Sequence, residues 1–351
     1  MSDSSTINDD TERTLEFEFV RATENAALNA MTWLGKGDKN GADAAACDAI
    51  YGIFDRMDCC ASVMIGEGIK DAAPGIFLGE KLGRWTSGSP HFDIALDPVD
   101  GTTNIAHGLP NSISVIAASI TGDGQSHAMC HLPSFYTEKL AWGPEVVCWL
   151  EKAGLSIALD DPLRLTLNRV ATALDKPLGK LVVCTLNRPR NQHIIVNLRE
   201  CGVGVRLITD GDITAALAPS MPDSGIDLYV GIGGATEAVL TAAALKTLGG
   251  DMLVRMWPRD EAELASLLET HSHEEIYAVR QTNDLVSGSS AVFCATGISD
   301  SPLLPGVKMT GNKAVTSSVL LRAHSRTVRY MRTVHDMGHK FMPLRSTGPG
   351  S

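Results

Sequence analysis

The segment Phe92-Asp93-Ile94-Ala95-Leu96-Asp97-Pro98-Val99-Asp100-Gly101-Thr102-Thr103 decides how the chain is read. Its apolar run, Phe92 to Leu96, is short and bounded by turn residues, which predicts a buried strand. Pro98 fixes φ and Gly101 permits a tight reversal, so the strand closes into a turn. In that turn Asp97, the carbonyl of Val99, Asp100 and the hydroxyl of Thr102 can converge on one point. Oxygen-only ligands at this density suit a hard divalent ion, Mg²⁺ or Mn²⁺, rather than zinc. An ordinary Asp-Gly turn accounts for any one of these residues but not for the whole string.

A second strand, Ala61 to Ile65, ends in Gly66-Glu67-Gly68, followed by Asp71 and Pro74. Alone this fits a surface turn; beside Asp97 and Asp100 it makes Glu67 a candidate bridge between two metals. Two such ions would clamp a phosphoryl group and activate water. Asp43 opens a helix running to about Met57 and is either its N-cap or a further ligand. Before it, Phe17, Val20, Ala27, Met31 and Leu34 recur on one stripe, which predicts a helix from Leu15 to Leu34. Gly35 to Gly41 breaks that helix, and Ser112 to Ser119 reads as a further strand.

The second half has the same α/β alternation. Strands are expected at Leu181–Leu186, Val203–Ile208 and Ile226–Val230, and helices near Ala215 and over Ala235–Leu248. Each strand delivers polar groups. Asn187-Arg188-Pro189-Arg190 offers two guanidiniums flanking a rigid proline, suited to bidentate phosphate contacts. Thr209-Asp210-Gly211-Asp212 offers two carboxylates to sugar hydroxyls, with helix capping the competing use for one of them. Gly231 to Glu237 reads as a glycine loop opening a helix and presenting amides to an anion. It is not a dinucleotide fingerprint, because the sixth position is Thr236 and Glu237 would repel a pyrophosphate.

Composition sets the outer bounds. The 351 residues carry 30 Lys+Arg against 41 Asp+Glu, a net charge of −11, with 44% hydrophobic residues. That acid excess argues against nucleic acid or an anionic membrane as partner. The eight cysteines lie mostly among apolar neighbours with no C-x-x-C pair, as expected for reduced thiols in the cytoplasm. The polar, acidic N-terminus fits neither a signal nor a transit peptide, and the longest apolar run, Ala238 to Leu245, is too short to span a membrane. The chain thus divides into a flexible arm (1–12), a metal-binding lobe (13–160), a substrate-binding lobe (161–340) and a loose tail (341–351). Three other features read as structural. His271-Ser272-His273 is a solvated loop or helix end, His335 and His339 suit the surface, and Arg326, Arg329 and Arg332 suit a solvated face or a subunit contact.

Together the segments resemble the class II fructose-1,6-bisphosphatase family, within the lithium-sensitive phosphatase superfold, from about Phe17 to His335. The resemblance is carried by Trp33 to Asn40, Ile65 to Gly68 with Asp71 and Pro74, Asp93 to Thr102, and Tyr136-Thr137-Glu138-Lys139. It continues in Arg188 to Arg190, Asp210 to Asp212, Gly231 to Gly234 with Glu237, and Ala295 to Gly297. It implies an α/β fold, a layered αβαβα sandwich in two lobes. By position, it implies that Asp43, Glu67, Asp97, Asp100 and Glu237 bind two or more Mn²⁺ or Mg²⁺ ions. Thr102 would orient the attacking water and Asp71 would assist proton removal, with Glu67 also at the catalytic centre. Asp100, Gly101, Thr102, Tyr136, Arg188, Pro189, Arg190, Asp210, Gly211, Asp212 and Gly234 would hold the substrate.

The implied reaction is hydrolysis of the 1-phosphate of fructose 1,6-bisphosphate by a homo-oligomeric enzyme of gluconeogenesis. Sedoheptulose 1,7-bisphosphate is the nearest rival substrate. An inositol monophosphatase is disfavoured because none of the five tryptophans precedes an Asp. The chain departs from the family pattern at Ile69 and Ala72, both usually Glu, at Gly75-Ile76-Phe77, and at Asp100, where many members carry Glu. The two lost acids motivate a further alternative, a weakened paralogue that only binds a sugar phosphate. Intact Glu67, Asp97, Asp100 and Thr102 argue against it. A pocket this acidic would repel a bisphosphate without divalent cations.

Overall fold

A computed structural model describes residues 4–66, 76–121, 127–288 and 290–345, with the side chains of 4–12 and 14 excepted. Helices α1 (Ser4–Met31) and α2 (Lys39–Phe54) lead into β1 (Cys60–Ile65), β2 (Lys81–Leu82), β3 (His91–Asp100), α3 (Thr102–His107) and β4 (Ile113–Ile120). Then come β5 (Tyr136–Trp142), α4 (Pro144–Ala153), α5 (Leu163–Ala173), β6 (Val182–Leu186), α6 (Gln192–Glu200) and β7 (Gly204–Ile208). Helix α7 (Asp212–Leu217), β8 (Leu228–Gly234), α8 (Ala235–Leu248), β9 (Asp251–Trp257), α9 (Glu261–Leu268), α10 (His273–Tyr277), β10 (Arg280–Gln281) and α11 (Thr282–Leu285) follow. The last strands are β11 (Val292–Gly297), β12 (Lys308–Thr310), β13 (Lys313–Arg322) and β14 (Thr327–Asp336).

Among the described residues the strands form two sheets. One runs β12-β13-β11-β4-β3-β1-β2, with β14 paired along β13; the other runs β10-β9-β5-β8-β6-β7. Period-2 alternation explains how both faces of each sheet are covered. In the second sheet Leu140, Val183, Leu228 and Leu253 pack against Val146, Leu150, Leu167 and Leu198 of α4, α5 and α6. Their neighbours Ala141, Cys184, Tyr229, Met252 and Val254 face the other way, into the core around α8. In the first sheet Ala95, Val115, Ala117, Phe293 and Val319 share that core. Ile94, Leu96, Ile116, Ala118, Cys294 and Leu320 turn outward onto Phe19, Ala26, Ile50 and Phe54 of α1 and α2.

Helix α8 is apolar around its circumference, from Ala238 to Leu245, as a helix packed between two sheets must be. The layers are therefore α1/α2, first sheet, α8, second sheet, α4/α5/α6, the αβαβα sandwich expected. No described helix is long and apolar enough to cross a membrane.

Several details differ from the sequence expectations. Residues 4–12, expected as a flexible arm, form the first turns of α1. The sheets do not part the chain at residue 160. Strand β5 joins the second sheet from before that point, and β11 to β14 return to the first from after it. The start of the expected tail is anchored: Arg345 pairs with Asp55 at 2.7 Å and stacks on Tyr51. Gly52 of α2 makes room for it, since a Cβ there would lie 2.0 Å from the Pro343 carbonyl oxygen. His335 is buried rather than superficial, with Nε2 2.9 Å from Thr316 Oγ1 and 3.9 Å from Glu24. His339 is exposed, and Ser272 caps α10 at His273, as the sequence reading has them.

Candidate active site

The carboxylates of β3 meet through a break in strand pairing. Asp97 pairs with Val115 of β4 and Asp100 with Ile113, so three steps on β3 match two on β4. Pro98 has no N–H to give the ladder, and the extra residue is a bulge. By strict alternation Asp97 and Asp100 would point to opposite faces. The bulge puts both on the α8 side and turns Val99 to the outer core, where it donates its N–H to Asp97 Oδ1 at 3.0 Å.

Gly101, at φ +94°, then turns the chain into α3. A Cβ there would meet the Asn111 carbonyl oxygen at 2.7 Å, so this position combines a left-handed backbone with close approach. Thr102 is the first residue of α3.

Glu237 arrives from the first turn of α8, where a carboxylate suits the positive end of the helix. Gly234 makes room for it, because a Cβ there would lie 1.9 Å from Glu237 Oε2. Asp97, Asp100 and Glu237 bring one oxygen each within 4.8 Å of one another. Asp100 Oδ2 and Glu237 Oε2 are buried with no hydrogen-bond partner. A polar atom is rarely left this way unless something absent completes it. All-oxygen donors with orphaned acceptors fit a hard divalent ion. Burial pushes the Asp100 carboxyl well above the usual range, and Asp212, Glu237 and Asp210 add to that rise while Lys139 opposes it.

The remaining metal candidates stand differently. Asp43 is buried on α2 and is not in the three-residue cluster. It is not the N-cap either: Asp38 is, accepting from the Gly41 N–H at 2.8 Å. Glu67 and Asp71 lie outside the described residues.

The second sheet supplies the groups read as substrate contacts. The Arg190 guanidinium lies 3.9 Å over the Tyr136 ring, and its Nε donates to the Ile232 carbonyl at 2.8 Å. Pro189 starts the short helical turn between them, and Arg188 stands 3.7 Å from Asp210 Oδ1. Asp210 Oδ2 accepts from the Thr103 N–H at 3.3 Å, tying the sugar-side turn to the start of α3. Gly211, at φ +83°, opens α7 and delivers Asp212. Gly231 to Gly234, expected as a loop, are the end of β8 itself, paired with Lys139 to Tyr136 of β5.

Four residues that hold the candidate site together were not read from the sequence. Lys139 is 1% exposed, and its Nζ donates to Asp212 Oδ2 at 2.7 Å. Tyr229 donates to the same oxygen at 3.4 Å. Burial raises the Asp212 carboxyl to about 6, with Lys139 opposing the rise and Glu237 adding to it. Asn104 and Asn111 lock the two turns together: Asn111 Nδ2 donates to the Asp210 carbonyl at 2.6 Å, and Asn104 Nδ2 to the Asn111 carbonyl at 2.9 Å. A charged residue at 139, in phase with buried Thr137 and Ala141, was the available signal for the lysine.

Comparison with known proteins gives the family. Residues 13–335 match the family model described as "Bacterial fructose-1,6-bisphosphatase, glpX-encoded". Fructose-1,6-bisphosphatase class 2 of Haemophilus influenzae is 40% identical over 339 residues, 92% of this chain and 96% of that protein. Fructose-1,6-bisphosphatase 1 class 2 of Escherichia coli K12 is 37% identical over 339 residues, covering 93% and 97%.

Proposed function

The chain belongs to the class II bacterial fructose-1,6-bisphosphatase family, and from that premise we propose that it removes the 1-phosphate of fructose 1,6-bisphosphate in gluconeogenesis. The observation that carries the reading is the convergence of Asp97, Asp100 and Glu237 with two orphaned buried oxygens.

In this reading Asp97, Asp100 and Glu237 hold the divalent ions, Mn²⁺ or Mg²⁺, and Asp43 and Glu67 complete the set. When bound, such ions neutralise phosphoryl charge and make water a stronger nucleophile. The protein's own residues position the substrate. Arg188 and Arg190, the latter stiffened by Tyr136, take the distal phosphate. Asp210 and Asp212 accept from sugar hydroxyls, with Gly211 and Gly234 leaving space. The first turn of α3, with Gly101 and Thr102, faces the scissile phosphate. Thr102 orients the water and Asp71 accepts its proton, so that positioning and charge neutralisation account for most of the rate. The metal-binding and substrate-binding halves of this division follow the two sheets more closely than the chain order.

Two further parts of the reading concern the setting. None of the eight cysteines is joined in a disulfide, which supports a reducing cytoplasm. A homo-oligomer is supported by Val328, Tyr330 and Val334, exposed on one face of β14.

Phosphate release from fructose 1,6-bisphosphate, sedoheptulose 1,7-bisphosphate and inositol phosphates, with Mn²⁺ or Mg²⁺, tests the proposal. Turnover on fructose 1,6-bisphosphate, lost on chelation and in Thr102→Ala and Glu67→Gln, is expected. No turnover on either sugar bisphosphate overturns the reading, and turnover indifferent to both substitutions overturns the site.

A further inference from the structure

A lysine in the middle of β5 is buried in the interior, and the substrate-contact assignments leave it without a role. Lys139 lies in a central strand, flanked by β8 and β9, and its ammonium is sealed from solvent against an equally buried Asp212. A buried ammonium persists only where something pairs with it, and a neutral donor such as Tyr229 already reaches the same oxygen. The backbone is shaped to the pair: a Cβ on Gly233 would lie 1.8 Å from Asp212 Oδ2 and 3.3 Å from Lys139 Nζ. The charge also reaches beyond its partner, since Lys139 opposes the mutual repulsion of the acids at Asp100 as well as at Asp212.

We propose that Lys139 is a positioning residue with two effects. It presents Asp212 as an acceptor for a substrate hydroxyl. As a fixed cation held by Asp212 beside the carboxylate cluster, at Gly233, one residue along β8 from the Gly234 that makes room for Glu237, it lowers the affinity of that cluster for divalent ions. The proposal rests on the reading of the cluster as a metal-binding phosphatase site. The physical basis of the second effect is that the ammonium cancels part of the field a divalent ion feels, and like charges in a water-poor pocket are weakly screened. Losing the lysine therefore strengthens metal binding while it weakens substrate binding. A purely structural lysine would weaken both.

The test is calorimetric titration of Mn²⁺ alone into chelator-stripped full-length protein, alongside steady-state kinetics. Four proteins are compared with the wild type: Lys139→Met, Asp212→Asn, the double variant and Asp100→Asn. In Lys139→Met the Mn²⁺ dissociation constant is expected to fall about tenfold while KM rises about tenfold. Asp212→Asn, which leaves the ammonium uncompensated, is expected to bind Mn²⁺ about tenfold more weakly. The double variant, neutral again, returns Mn²⁺ binding to near the wild-type value while KM stays raised.

A folded Lys139→Met protein that binds Mn²⁺ no tighter than wild type overturns the proposal. Should that variant not fold, a double variant binding Mn²⁺ no tighter than Asp212→Asn overturns it equally. Wild-type binding that Asp100→Asn leaves intact overturns the reading of the metal site, and the proposal with it. Binding that Asp100→Asn abolishes but Lys139→Met does not strengthen overturns the proposal alone.

Discussion

Replacing Gly233 by Ala puts a methyl group in place of a hydrogen where the structure has no room for it. The new Cβ would stand 1.8 Å from Asp212 Oδ2, against an ordinary contact of 3.4 Å, so the carboxylate must retreat by about 1.6 Å. That displacement exceeds what the 2.7 Å bond from Lys139 tolerates, and it takes the proposed sugar contact with it. A misplacement of about 1 Å at a reacting site costs on the order of 100-fold, or about 3 kcal/mol of transition-state stabilisation. Gly233 lies in regular β8, outside the left-handed positions, so Ala brings no backbone strain. We therefore expect kcat/KM for fructose 1,6-bisphosphate to fall about 100-fold while Tm drops by only about 2–4 °C. Gly231→Ala, two residues earlier on the same face, is the control. Its nearest neighbour is Thr185 Oγ1 at 3.1 Å, which a rotation of the hydroxyl relieves. It should keep kcat/KM within about threefold of wild type. Phosphate-release kinetics and thermal melts of the two variants decide the matter. Gly233→Ala with more than a third of wild-type kcat/KM, or Gly231→Ala equally impaired, would refute the steric reasoning.

The raised Asp212 carboxyl makes the metal-free protein sensitive to pH. With a folded value near 6 against 3.8, its contribution to stability is fully present below about pH 4 and is lost as pH rises through 6, about 3 kcal/mol in all. Chemical denaturation in chelator should show greater stability at pH 5 than at pH 7, and saturating Mn²⁺ should reverse that order; a metal-free protein that loses stability on this acidification would contradict the assignment. Arg190→Lys removes both the stack on Tyr136 and the Nε bond to Ile232, so KM should rise about 10- to 100-fold with kcat little changed. Equal loss in kcat would place Arg190 at the chemistry instead of at the distal phosphate.

Much of the architecture was legible because alternation and turn chemistry are local. Val183/Cys184 and Leu228/Tyr229 each split between two cores, and α8 has the bounds expected of it, Ala235–Leu248. The return of β11 to β14 to the first sheet was not legible, since strand order depends on pairing between distant segments that no local pattern encodes. At the site, Asp97 and Asp100 were read as ligands from the turn that closes their strand, and Glu237 only through the family resemblance; the three carboxylates do converge. Nothing local reveals that the bulge at Pro98 turns Asp100 to the same face as Asp97. Lys139 was passed over for a related reason. In a strand, a lysine reads as a solvent-facing residue until the partner that neutralises it, 73 residues away, is known. His335 was misplaced similarly, its partners Thr316 and Glu24 being remote in sequence.

Helix α8 works as a gauge block. Its buried face is built from small residues, Ala238, Ala242, Ala243 and Ala244, and both sheets rest on it, so its diameter sets how far apart they stand. The proposed metal ligands Asp97 and Asp100 ride on one side of that gap, the proposed sugar and phosphate contacts on the other, and Glu237 on the block itself. Widening the block by a methyl or two would stretch every distance across the cleft at once without touching a ligand. Resizing this one helix therefore changes the span between the two sets of proposed contacts without altering any of the residues in them.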